Sequence, residues 1–340
     1  MDGAGIVIGP RGKTRIMQPY RVLSLPGVVP ITTPDRLVFS IVPLAPFRLD
    51  LTAWALRRRR QNSIDRWDGT TYRRVVAFDG VPVEVAVRQS GPADAPLLQV
   101  TLISLAPRPE FEEKAKCLVE KMFGLHVDLA PFYRIAGHDA KLLSLTEKFR
   151  GLKPPGYPTI FETLVIAFAC QQLSLAAGLG MVSRLACACG LSLTLDDETN
   201  YAFPRPEDVL ELAPEAFREI GFSRNKTRAF LELAANLAGG RIEFDSLGGM
   251  DNEDVVASLL ALRGIGRWTA EYVLLRGLKR LNVFPGDDVG ARNRLAKWLG
   301  CKEPLDYEGV ARATERWEPY AGMVYFHMLL EGLSEAGELK

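Results

Sequence analysis

The sequence predicts two architectures in one chain. An α+β lobe with an antiparallel sheet and helices spans residues 46–131, and a mostly α-helical region with a Gly-x-Gly hairpin near 264–266 spans 132–340. Three observations carry this reading. Strand-like runs flank an Asp79-Gly80 dipeptide, the preferred chemistry of a two-residue hairpin turn. Helical periodicity dominates from Phe132 onward. The chain has 340 residues, 47% of them apolar, enough for two domains with full cores.

Residues 1–45 are rich in Gly, Pro and β-branched residues. They read as an N-terminal extension: a strand or two, a loose arm, or the result of a start codon assigned too early. From Phe47 the pattern sharpens. Asp50 to Arg60 is expected to be a short helix, closing in the run Arg57-Arg58-Arg59-Arg60. That run reads as a solvated helix end or as a phosphate contact. Tyr72 to Phe78 and Val81 to Val87 form the hairpin, the second strand alternating Val with Pro82, Glu84 and Ala86. Leu97 to Leu105 is a further strand. Pro109 to Phe123 is an amphipathic helix with Phe111, Ala115, Leu118, Val119 and Met122 on one stripe.

In the second region Pro154-Pro155-Gly156 is a loop, and helical pattern resumes at Thr159. The helix is expected to run through Cys170-Gln171-Gln172-Leu173-Ser174. Glutamines in so apolar a setting need partners, as hydrogen-bonded core amides or at a helix end. The turn Gly221 to Lys226 joins two more helices, and either offers N–H groups and Lys226 to a phosphate or is a plain turn.

The stretch Leu262 to Leu295 carries the chemistry. Val255, Leu259, Leu260 and Leu262 give an apolar helix face before Gly264-Ile265-Gly266, and Trp268, Tyr272 and Leu275 give another after it. Gly264 can take positive φ and end the first helix. Gly266 lets an anion approach the backbone, where the free N–H groups of residues 265–268 open the second helix. Gly-x-Gly alone favours an ordinary helical hairpin. The downstream Asp287-Asp288 shifts the balance. Pro285-Gly286 breaks the preceding segment and Val289 to Leu299 reads as a helix, so one of the two acids is its N-cap. One Asp suffices for capping, and here there are two. An anion fixed at a helix N-terminus stays ionised and suits an oxocarbenium-like sugar transition state.

This run resembles the helix-hairpin-helix DNA glycosylases, and most of all the 3-methyladenine DNA glycosylase II branch. The shared motif is L-x-G-I-G-R-W-T-A followed by an Asp, here Asp288, 20 residues beyond Trp268. The likeness covers most of residues 46–335. It implies that Asp288 is the catalytic residue, driving loss of a flipped-out base with water as the final nucleophile. It also implies monofunctional chemistry, since bifunctional relatives carry a lysine where this chain has Trp268. Trp268 and Tyr272, spaced as a core pair would be, match pocket-lining aromatics of the family. Leu329 stands where the best-known bacterial form has a Trp, and Tyr325, one turn earlier, is a replacement ring. Gln172 is the expected wedge and Gln171 lies close to the pocket; a one-residue slip would exchange them. Gly264, Ile265, Gly266, Arg267 and Lys226 are the expected DNA contacts. The implied substrates are 3-methyladenine and 7-methylguanine in double-stranded DNA, cationic bases that aromatic walls attract. The rivals are another lesion (8-oxoguanine, hypoxanthine or uracil) or a non-catalytic DNA-binding protein.

Composition narrows the rest. The formal net charge is +1, so DNA binding would rest on a local patch drawn from Arg224, Lys226, Arg228, Arg263, Arg267, Arg292 and Arg294. The cysteines, Cys117, Cys170, Cys187, Cys189 and Cys301, have no zinc spacing, and related enzymes with a [4Fe–4S] cluster place four near the C-terminus. No cofactor is expected, beyond a monovalent cation bridging the hairpin and a phosphate. Scattered thiols, no transmembrane-length apolar run and no signal peptide suit a monomer in a prokaryotic cytosol or nucleoid.

Overall fold

Alternating apolar residues from Tyr72 to Leu102 build a five-stranded antiparallel sheet. The structure, a computed structural model, describes residues 34–339. The strands are β1 (Asp35–Ile41), β2 (Arg66–Trp67), β3 (Thr71–Phe78), β4 (Val81–Ser90) and β5 (Leu97–Ser104), in the order β1-β5-β4-β3-β2. Asp79 and Gly80 both take positive φ, as the tight turn requires. β1 pairs along β5 from Asp35↔Ser104 to Ile41↔Leu98, so the sheet draws a strand from ahead of residue 46. The rest of the expected extension, residues 1–33, lies outside the described residues.

One sheet face carries Val83, Val85, Val87, Leu98, Val100 and Leu102 against α1 (Leu49–Arg57) and α2 (Phe111–Phe123). α1 is buried on two sides. Leu49, Ala53 and Leu56 face the sheet, whereas Leu51, Trp54 and Ala55 join the core of the helical region. That double burial carries the end of α1 into the junction, and it corrects the expectation for the arginine run. Arg57 and Arg58 are buried. Arg57 donates to the carbonyls of Trp67 at 2.7 Å, Arg60 at 2.6 Å and Arg59 at 3.3 Å. The chain leaves the helix at Arg58, φ 60°, a left-handed position usually given to glycine.

The helical region comprises α3 (Ala130–Ala136), α4 (Ala140–Lys148), α5 (Ile160–Cys170), α6 (Leu175–Cys189), α7 (Pro206–Leu210), α8 (Pro214–Ile220), α9 (Arg224–Ala238), α10 (Asn252–Leu260), α11 (Arg267–Arg276), α12 (Val289–Leu299), α13 (Tyr307–Thr314) and α14 (Ala321–Glu335). It also holds a small hairpin, β6 (Ser192–Leu195) with β7 (Glu198–Tyr201), where the sequence led us to expect helix. Leu193 and Ala202 there pack on Val75, on the other face of the sheet. α5 is the central helix, buried from Ile160 to Ala169, and α11 is buried from Thr269 to Arg276. α14 is buried from Ala321 to Met328.

A second correction falls on α5. The helix stops at Cys170, not beyond Ser174. Gln171 leaves the helical range at ψ 126°, Gln172 takes φ 57°, and Ser174 caps α6 by accepting from the Ala177 N–H at 3.3 Å. The two glutamines therefore lie in a sharp link between helices, at the mouth of a cavity that Trp268, Tyr272 and Asp288 also line.

Candidate active site

The hairpin is shaped by what surrounds each glycine. Gly264 has φ 82°, and a Cβ there would sit 3.0 Å from Ala229 Cβ and 3.2 Å from Phe168. No atom of the described residues lies within 4 Å of where a Cβ of residue 266 would stand, so that side of Gly266 is open. Ile265 is buried, and its N–H is bonded to Leu262 O at 3.3 Å. Ile265 is thus an anchor, and the expectation that its N–H is free does not hold. The N–H groups of residues 267–269 open α11 and have no intrahelical acceptor, which leaves a positive helix end beside the open glycine.

Side chains tie this hairpin to its neighbours. The Gln171 amide donates to Gly264 O at 3.0 Å and to Thr269 Oγ1 at 3.1 Å. Lys226 Nζ donates to Gln171 O at 2.6 Å. Lys226 is thereby engaged with the protein rather than held out to solvent, and burial lowers its pKa. Gln172 is exposed at the cavity mouth, beside Leu173, itself 47% exposed.

The two acids separate. Asp288 is the N-cap of α12: Oδ1 accepts from the Ala291 N–H at 2.9 Å, and Oδ2 accepts from Tyr325 Oη at 3.1 Å. Asp287 pairs with Arg267 at 2.9 Å, and that guanidinium lies 4.2 Å above the Tyr307 ring. Glu271, on α11, accepts from the Gly286 N–H at 3.1 Å and from Tyr307 Oη at 2.6 Å. Burial pushes the Glu271 carboxyl up, and burial beside that carboxylate pushes the Tyr307 phenol up to about 12. Glu271 so holds the loop that delivers Asp288. Sequence reasoning missed it, although a carboxylate between Ala270 and Tyr272 in a buried helix was a signal.

The cavity measures about 810 Å³. Trp268 and Tyr272 form one wall, ring centroids 5.6 Å apart; Phe284 and Tyr325 meet edge-on at 5.5 Å. Asp288, Leu329, Gln171 and Gln172 also line it, so the expected pocket residues are brought together. Tyr325 adds a bond to Asp288 that its expected role as a ring did not include. Burial, reinforced by Asp288, raises the Tyr325 phenol well above its ordinary pKa. Arg58 also lines the cavity, donating to Tyr272 Oη at 3.0 Å, and Tyr157 Oη lies 3.2 Å from the same oxygen. No lysine lines it. Lys279 sits three residues past α11, bonded to Lys121 O. Among the described residues no group of three His, Cys, Asp or Glu could hold a metal ion, and no helix is long and apolar enough to cross a membrane.

The model of the HhH-GPD superfamily of base excision DNA repair proteins matches residues 165–319, which contain the hairpin and both acids. A DNA-3-methyladenine glycosylase of Bacillus subtilis is 34% identical over 210 residues, 62% of this chain and 69% of its own length. DNA-3-methyladenine glycosylase 2 of Escherichia coli is 30% identical over 52% of this chain and 60% of its own length. A solved 3-methyladenine DNA-glycosylase from Archaeoglobus fulgidus has the same fold, with a TM-score of 0.76 and 24% identity over 89% of this chain and all of that one. The chain belongs to the HhH-GPD superfamily of base excision DNA repair proteins, and is similar to its hydrolytic N-glycosylases.

Proposed function

We propose that this chain is a monofunctional DNA N-glycosylase that extrudes an alkylated purine from duplex DNA and hydrolyses its glycosidic bond. The names of the two relatives support the substrate class. The observation that carries the mechanism is the Asp288 carboxylate. It is held by the Ala291 N–H and the Tyr325 hydroxyl at the edge of a cavity walled by Trp268 and Tyr272. Aromatic faces stack on an extruded base whatever its sequence context. As the C1′–N bond breaks, the bonding pair leaves with the base, and the Asp288 anion stabilises the oxocarbenium-like sugar. Water then adds at C1′ and loses a proton, leaving an abasic site. The open side of Gly266 and the start of α11 supply a phosphate grip that fixes register without reading bases. Gln172, with the exposed Leu173, fills the gap left in the duplex.

Base release from methylated duplex DNA tests this reading. Asp288→Asn keeps a polar cap and removes the anion, so release should fall at least about a hundredfold while duplex affinity holds. Strands should break only after alkali, and borohydride should trap no covalent adduct, because Trp268 offers no amine. Unchanged release by Asp288→Asn would sink the mechanism.

A further inference from the structure

Arg58 is buried in the cavity wall, and among the described residues no carboxylate pairs with it. Its side chain makes one hydrogen bond among the described residues, Nη1 to Tyr272 Oη at 3.0 Å, and Nε has no partner. Its neighbours are the phenols of Tyr272, Tyr325 and Tyr157 and the thiol of Cys170, none of them a carboxylate. Arg57, one residue earlier, shows what a structural arginine does here: it saturates itself on three carbonyls. Arg58 is held instead on a left-handed backbone, where a side chain other than Gly, Asn or Asp is strained. Arg276, also buried with no ion pair among the described residues, leaves Nε and Nη2 unpartnered but does not line the cavity, so Arg58 is set apart by unspent donors in the cavity wall, where a ligand can supply the acceptor.

We propose that Arg58 is the specificity-determining residue of the base pocket, its donor fork selecting an extruded base that presents an acceptor, such as the 6-oxo group of a purine. This rests on the glycosylase reading. The aromatic wall of Trp268 and Tyr272 accepts any base and favours a cationic one. Arg58 acts against that preference in two ways. A guanidinium only donates, so an amino group facing it leaves two donors unpaired. Its fixed positive charge also repels a positively charged base at short range in a site shielded from water. The wall therefore supplies affinity and Arg58 supplies the choice, through a residue contributed by α1 rather than by the hairpin region.

Three lesions separate edge from charge: hypoxanthine is neutral and 6-oxo, 7-methylguanine is cationic and 6-oxo, and 3-methyladenine is cationic and 6-amino. Single-turnover release of each is compared for the full-length wild type, Arg58→Met and Arg58→Lys. Arg58→Met should shift the hypoxanthine-to-3-methyladenine ratio toward 3-methyladenine by about tenfold or more, the scale of a lost charged hydrogen bond. 3-Methyladenine release should itself rise, with 7-methylguanine between the two. Arg58→Lys, which keeps the charge but not the fork, should shift the ratio less, and it carries the test if the Met variant does not fold. A ratio that stays constant, whether or not the rates change, would overturn the proposal. Absence of release from every duplex by the wild type would refute the glycosylase reading instead. Arg58 is then judged on free bases: hypoxanthine should raise the wild-type Tm more than adenine does, and Arg58→Met should lose that difference. Equal shifts in the wild type would overturn the role of Arg58.

Discussion

Arg74, on β3, has Asp65 Oδ1 at 2.9 Å and Glu162 Oε1 at 2.6 Å from its guanidinium; Arg58, at the end of α1, has among the described residues one side-chain hydrogen bond, to the Tyr272 hydroxyl at 3.0 Å, and lies over that ring. Both side chains are buried. Around Arg74 both Nη atoms are held by carboxylates, and Nε alone has no partner among the described residues. Tyr72 Oη donates to Asp65 at 2.6 Å and the Asn62 amide donates to Asp65 at 3.2 Å. Burial disfavours the Arg74 charge, but Glu162 and Asp65 outweigh it and hold the pKa well above its ordinary value. This cluster joins the sheet to α5, the central helix of the second region. Around Arg58 there is a cavity where Arg74 has carboxylates. A third basic group, His327 on α14, is buried with Nδ1 donating to Met323 O at 2.8 Å and Nε2 unpartnered, and burial lowers it to about 4. One fold thus buries a basic side chain in three ways: paired, neutral, or left open. The third way is found at Arg276, away from the cavity, and at Arg58, in the wall of the cavity that Asp288 also lines, where a ligand can reach the unspent donors.

The sharpest break of this comparison removes the paired charge. Arg74→Met should strand Asp65 and Glu162 and cost about 3–5 kcal/mol in urea unfolding. Arg58→Met strands no carboxylate and should change stability by less than about 1 kcal/mol. Equal losses would erase the difference between the two sites.

The neutral case is tested by pH. A histidine whose folded pKa lies below its unfolded value contributes stability that is present above about 6.5. That stability is lost as pH falls toward about 4, because the unfolded chain takes up the proton first. The loss reaches about 3 kcal/mol across that window. His327→Phe should flatten the unfolding free energy between pH 6.5 and 4. An unchanged slope would show that other groups set the acid limit.

The smallest expected effect probes how the open site is positioned. Tyr325→Phe keeps the ring against Phe284 and removes the hydroxyl held on Asp288 Oδ2. Base release should fall about tenfold in kcat, with KM little changed, as one hydrogen bond to a charged group warrants. A rise in KM with kcat intact would make Tyr325 a binding wall and not a positioning residue.

Local chemistry made much of this legible. The β3–β4 hairpin, α2 and α12 were read to within a few residues, because turn dipeptides, a stripe of apolar side chains and a capping Asp act through near neighbours. Capping chemistry narrowed the acid to Asp287 or Asp288, and the family resemblance chose Asp288. The end of α5 was misread because Gln171, Gln172 and Leu173 are all good helix formers. Ser174, as the cap of the next helix, was the available cue. The β6–β7 hairpin was missed because its four-residue strands are held by packing on the sheet.

What the sequence determined by itself is therefore the part of the protein whose causes are short-ranged: the two architectures, the glycine-bounded hairpin, and the acid at the head of α12. Arg58 could not be read that way, because four consecutive arginines look like a solvated helix end until burial of α1 on both sides is known. Its partner Tyr272 lies 214 residues away. Glu271 and Tyr307 acquire their roles only when α11, α13 and the loop before α12 meet. Burial and charge compensation depend on which segments come together in space, so the tertiary structure alone decided which arginine is sealed by carboxylates and which is left facing the cavity.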